Sequence, residues 1–159
     1  MRKNTLFLLL TFLGINSLLA VNSLRVGDPR NSWYTQQGTV EEASYAIRPK
    51  GIYTEIGMYL TFSAQGTTYL AGDSLEVVLK FDLPENAVVT DSWLWIGDTI
   101  YKADILDRWT ASSIFEGFVM RRTDPSILTK ENATQHTLRI FPMRGDQQRK
   151  VKITILVPT

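Results

Sequence analysis

Apolar and polar residues alternate with a period of two along three well-separated stretches of the chain. Ile56, Met58, Leu60 and Phe62 face one way, with Gly57, Tyr59, Thr61 and Ser63 between them. Leu75, Val77, Leu79 and Phe81 repeat the pattern against Glu76, Lys80 and Asp82, and Val151, Ile153, Ile155 and Val157 do so against Lys152 and Thr154. Such alternation predicts strands with one buried face. Turn residues separate them: Gln65-Gly66, Gly72-Asp73, Pro84-Glu85-Asn86, Gly97-Asp98 and Arg144-Gly145-Asp146. Gly97-Asp98, between Trp93-Leu94-Trp95-Ile96 and Ile100-Tyr101, predicts a tight hairpin. One stretch departs from period two. Ala111, Ile114, Phe115 and Phe118 stand at i, i+3, i+4 and i+7, the face of a short helix over 107–118 with Asp107 as its N-cap. Many short strands with one small helix predict a mainly β fold, an antiparallel β-sandwich.

The N-terminus has another character. Arg2 and Lys3 precede the apolar run Leu6–Leu13, which gives way to Gly14, Asn16, Ser17 and Ala20. This order matches an export signal, and Asn16 and Ser17 interrupt the run before it reaches the length of a membrane span. The sequence therefore predicts a signal peptide over residues 1–20, cleaved after Ala20 or after Ser23, and hence a secreted, periplasmic or envelope location. An uncleaved signal is the one route to a membrane. Residues 21–44 are polar and turn-rich and read as a lead-in, leaving 45–159 as the domain.

Composition narrows the function. The chain contains no cysteine, so an exported form has no disulfides, and this points toward a bacterial envelope protein. A net charge of +1 makes no electrostatic case for nucleic acid. One histidine, His136, and no cysteine leave little for zinc; no cofactor, metal site or catalytic residue is expected. His136 beside Thr134, Gln135 and Thr137 reads as a solvated strand end. Arg144-Gly145-Asp146 has the form of a cell-adhesion tripeptide, but it also falls where a hairpin must turn.

Four motifs in order resemble the VIT domain, named for the vault protein and the inter-alpha-trypsin inhibitor heavy chains. They are Phe81-Asp82-Leu83-Pro84-Glu85-Asn86-Ala87-Val88-Val89, then Ile96-Gly97-Asp98 with the strand after it. Asp107-Arg108-Trp109-Thr110-Ala111 through Phe115-Glu116 follows, and then Arg121–Leu128 with Leu138–Met143 and the closing strand. Phe115 stands where the family has tyrosine, and Trp93 and Trp95 make their strand unusually aromatic. The resemblance implies a non-catalytic, exported protein-interaction or scaffold module. Its partner would be another protein or an adjacent domain, such as the von Willebrand factor A domain that commonly follows in this family. The chain reads as the N-terminal part of a longer adhesion-type protein, or as a free module. The alternatives are a carbohydrate-binding or carbohydrate-acting sandwich and a membrane-tethered scaffold.

Trp93, Trp95, Tyr101 and Trp109 form the candidate interaction patch. Trp93 and Trp95 share one side of a strand whose other side is Leu94 and Ile96. That strand is either buried on both sides or presents an aromatic patch to a partner.

Overall fold

The computed structural model describes residues 20–31, 33–103, 113 and 126–159. The residues of the expected signal peptide before Ala20 and nearly all of the expected helix over 107–118, with Trp109, lie outside the described residues. Among the described residues, ten strands form two five-stranded sheets: β1 (Ala20–Gly27), β2 (Thr35–Gln37), β3 (Thr39–Lys50), β4 (Tyr53–Ser63), β5 (Ser74–Asp82), β6 (Val88–Ile96), β7 (Thr99–Lys102), β8 (Ser126–Lys130), β9 (Gln135–Arg144) and β10 (Gln148–Pro158). The first sheet runs β2-β1-β5-β9-β8 and the second β3-β4-β10-β6-β7. Every pairing is antiparallel. Among the described residues, helix beyond a single residue is confined to the 3-10 turn Pro29–Asn31, and no helix is long and apolar enough to cross a membrane.

The three alternating stretches are β4, β5 and β10, and their apolar sides form the core. Ile56, Met58, Leu60 and Phe62 of β4, with Val151, Ile153 and Ile155 of β10, oppose Leu75, Val77, Leu79 and Phe81 of β5 and Leu138, Ile140 and Met143 of β9. Burying each such side chain contributes about 1.5–3 kcal/mol, and two sheets with one apolar side each can supply that only by facing one another. Gly97 takes φ 58° in the β6–β7 hairpin, and Asn86 takes φ 69° where the Ala87 amide donates to the Pro84 carbonyl at 3.0 Å. Both are left-handed positions that glycine and asparagine tolerate. The chain changes sheet between β9 and β10. There Arg149, buried, donates to the Pro142 carbonyl at 2.8 Å, just after the cis Phe141-Pro142 peptide.

Residues 21–44 are not a lead-in. They supply most of β1, all of β2 and the start of β3, and β1 lies inside the first sheet, between β2 and β5. Leu24 and Val26 are core residues. Among the described residues the sandwich therefore already includes β1, from Ala20, rather than starting at Tyr45. The cause of the misreading is a β-bulge. Val21 pairs with Phe81 and Ser23 with Lys80, so Asn22 is an extra residue, and the core side of β1 reads Val21, Leu24, Val26 instead of alternating. A bulge at Glu41 does the same to β3, whose core side runs Val40, Ala43, Tyr45, Ile47.

If β1 is structural, Leu24→Ala lowers unfolding stability by about 2–5 kcal/mol in a chemical denaturation experiment. A loose lead-in would tolerate the change with no shift in midpoint.

Candidate interaction face

Register decides which side chains meet on the solvent side of the second sheet, because directly opposed residues in antiparallel strands point the same way. Trp93 opposes Lys152 of β10 and Lys102 of β7, and Lys152 in turn opposes Tyr59 of β4. In the neighbouring row, Trp95 opposes Lys150 and Ile100. The outer side of this sheet thus carries a row Tyr59-Lys152-Trp93-Lys102 beside a row Thr61-Lys150-Trp95-Ile100.

The two indoles are half-buried, with ring centroids 5.9 Å apart and planes tilted by 47°. Lys152 Nζ lies 4.1 Å from the Trp93 ring centre and 5.8 Å from that of Tyr59. Lys102 Nζ lies 4.6 Å from Trp93, and Lys150 Nζ 5.6 Å from Trp95. An ammonium over an indole face at an exposed site contributes about 0.5–1 kcal/mol, and the lysine stems cover apolar ring surface while their heads stay in water. The Trp93 indole N–H donates to Asp91 on the same strand. Among the described residues, none of the three ammonium groups lies in an ion pair with a carboxylate.

The structure thus brings Trp93 and Trp95 together and separates Tyr101 from them. Tyr101 opposes Leu94, so it belongs to the core side of the sheet, at its β7 edge, and is 50% exposed. Trp109 lies outside the described residues. Tyr59, Lys102, Lys150, Lys152 and Ile100 were not singled out from the sequence. The signal for them existed: once β6 is aligned with β10 and β7, cross-strand partners of two tryptophans follow. A second aromatic group also escaped notice. Trp33 is 95% exposed beside Tyr34, whose carbonyl accepts from the Tyr69 hydroxyl at 2.9 Å.

His136 is no solvated strand end. It is 4% exposed, on the core side of β9, stacked on Phe81 with ring centroids 5.6 Å apart and planes within 19°. Its Nδ1 lies 2.9 Å from the Thr134 carbonyl, which can only accept, so Nδ1 carries the proton of the neutral ring. Burial is the largest influence on its pKa and pushes it below the ordinary 6.5; the Thr134 carbonyl opposes the shift and the Lys130 charge adds to it.

The Arg144-Gly145-Asp146 tripeptide is a structural turn. A Cβ on Gly145 would stand 2.2 Å from the Leu70 carbonyl oxygen, and the Gly145 amide donates to the Asp73 carbonyl at 3.1 Å. Arg144 Nε lies 3.4 Å from Asp146 Oδ1, so the two side chains engage each other. On the outer side of the first sheet, a cleft of about 210 Å³ is lined by Arg25, Asp28, Glu76 and Arg139. Its polar groups are engaged: Arg139 Nε pairs with Glu76 at 2.7 Å, Arg25 Nη2 donates to the Thr35 carbonyl at 2.8 Å, and Asp28 pairs with Arg30 at 2.5 Å. Among the described residues no group of three or more His, Asp or Glu is placed to hold a metal ion.

A histidine held neutral by the fold binds a proton more readily once unfolded, so its contribution to stability is complete above pH 6.5 and lost as pH falls below that value. The loss is no steeper than about 1.4 kcal/mol per pH unit for one proton. Between pH 7.5 and 5.5 the melting temperature of the wild-type protein is expected to fall further than that of His136→Gln, whose curve lacks this term. Parallel curves would show that His136 is not held neutral.

Comparison with known proteins places this geometry in a family. No curated protein matches the chain. The model of the vault protein inter-alpha-trypsin (VIT) domain family matches residues 50–155. The match spans β4 to most of β10, while β1, β2 and nearly all of β3, which complete both sheets, precede it. Since the match covers most of the sequence, the chain belongs to the VIT domain family.

Proposed function

We propose that this VIT domain is a non-catalytic protein-interaction module that docks its partner on the outer side of the second sheet. The observation that carries the reading is the pair of half-buried indoles, Trp93 and Trp95, flanked by Tyr59 and Ile100 on the outer side of the sheet. Tryptophan and tyrosine anchors in the middle of a flat surface, rimmed by polar groups, are the composition of a protein–protein hot spot. A sugar-binding site fits less well. Sugar recognition needs polar groups free to meet hydroxyls beside the rings, and the neighbouring carboxylate, Asp91, is engaged by the Trp93 indole. The partner in this reading is a separate protein or an adjacent domain of a longer adhesion-type chain, a von Willebrand factor A domain being the family's common neighbour.

The proposal includes export. Of the two cleavage points left open by the sequence, the one after Ala20 removes only the first residue of β1, opposite Asp82. Cleavage after Ser23 would remove Val21, which pairs with Phe81, and Asn22, whose side chain donates to Asp82 at 2.8 Å.

Two measurements test these readings. N-terminal sequencing of the exported protein is expected to begin at Val21; Leu24 would show that β1 is shortened on maturation, and Met1 that the signal is retained. A photo-crosslinking residue placed at Ile100 is expected to give a discrete adduct in the native host that disappears with Trp95→Ala, whereas the same residue at Lys80, on the outer side of the first sheet, gives none. Equal labelling from both positions would remove the docking face.

A further inference from the structure

The charge pattern of the docking face names the chemistry of its partner. Lys102, Lys150 and Lys152 converge on the two indoles from both neighbouring strands. The acidic residue nearest to them in the register, Asp91, is held by the Trp93 indole; Glu55, on the same side and within the influence of Lys152, is paired with Lys50 at 2.6 Å; and Glu42 lies on the far edge strand, opposite Thr61. The ammonium heads rest on aromatic faces rather than on carboxylates, which keeps them in place without neutralising them. Placing three like charges on one small patch costs repulsion that a partner of opposite charge relieves. The chain as a whole is near neutral, so this is a local field and not a general basicity. The patch is the solvent side of three adjacent strands, β10, β6 and β7, which offers an extended chain a continuous run of contacts across them.

We propose that the outer side of the second sheet binds an acidic polypeptide segment, with its carboxylates on Lys102, Lys150 and Lys152 and its apolar side chains on the ledge of Trp93, Trp95 and Ile100. The inference rests on the interaction reading above and adds the partner's chemistry to it. Exposed ion pairs are individually weak and screened by salt. The complex should therefore be of moderate affinity, steered by charge and held by the indoles.

The test is fluorescence anisotropy with the purified domain and a fluorescein-labelled peptide of glutamates carrying a tyrosine at every fourth position. A matched lysine peptide and a heparin oligosaccharide are the competitors. The acidic peptide is expected to bind, to weaken about tenfold between low salt and about 0.5 M salt, and to weaken at least about tenfold with Lys150→Glu plus Lys152→Glu. The milder Lys150→Gln plus Lys152→Gln pair should lose less in the same direction, and Trp95→Ala should weaken binding without changing its salt dependence. Lys80→Glu, on the other sheet, should leave the affinity unchanged. Undiminished binding to both double variants overturns the proposal, as does binding of heparin but not of the peptide. If the peptide fails while the Ile100 adduct persists, the face docks a partner of other chemistry; if both fail, the interaction reading falls with it.

Discussion

Two sheets, each with one apolar side, must hide those sides from water against each other, and the rest of the molecule depends on that requirement. It fixes which side of every strand points inward, and through the register it fixes which residues share the outside. The chain spends its large aliphatic and aromatic residues on the inner sides of β4, β5, β9 and β10. Even His136, the sole histidine, is drawn in, and it is accommodated as a neutral ring flat against Phe81. What remains for recognition is whatever the same strands carry at the alternate positions.

Those positions differ between the two sheets. On the first, Glu76, Arg139, Arg25 and Thr35 satisfy one another around a small cleft. On the second, the lysines rest on indole and phenol rings. Around that cleft a new contact must first break an old one, so little is gained by meeting a partner there. A surface whose cations lean on aromatic faces gives up only about 0.5–1 kcal/mol per contact when they turn toward a carboxylate. The asymmetry follows from β10, which places Lys150 and Lys152 on the same side as Trp93 and Trp95 of β6.

The fold class was legible from period-two alternation, and the strands it revealed most clearly, β4, β5 and β10, are among the most buried. The strands it missed were hidden by single inserted residues. Asn22 in β1 and Glu41 in β3 each shift the inward positions by one, so that three-residue steps replace two-residue ones and the pattern no longer reads as a strand. The aromatic pair Trp93 and Trp95 was legible as a shared side of one strand. Tyr101 was not separable from it, because its placement depends on pairing with Leu94 across the hairpin. The lysines depended on a pairing between residues far apart in the chain, β6 with β10, which no local pattern encodes.

The position of β10 has a consequence for how the molecule comes into being. The last in chain order of the ten described strands lies at the centre of the second sheet, between β4 and β6. Until it emerges, the β3–β4 and β6–β7 hairpins have no strand between them, and the inner side of β5 has only part of its cover. Closure is therefore a late, long-range event, of the kind that makes all-β domains fold slowly and exposes apolar strands in the interval. The same step that completes the core lays Lys150 and Lys152 beside the tryptophans, so the proposed docking face is assembled only when β10 is in place.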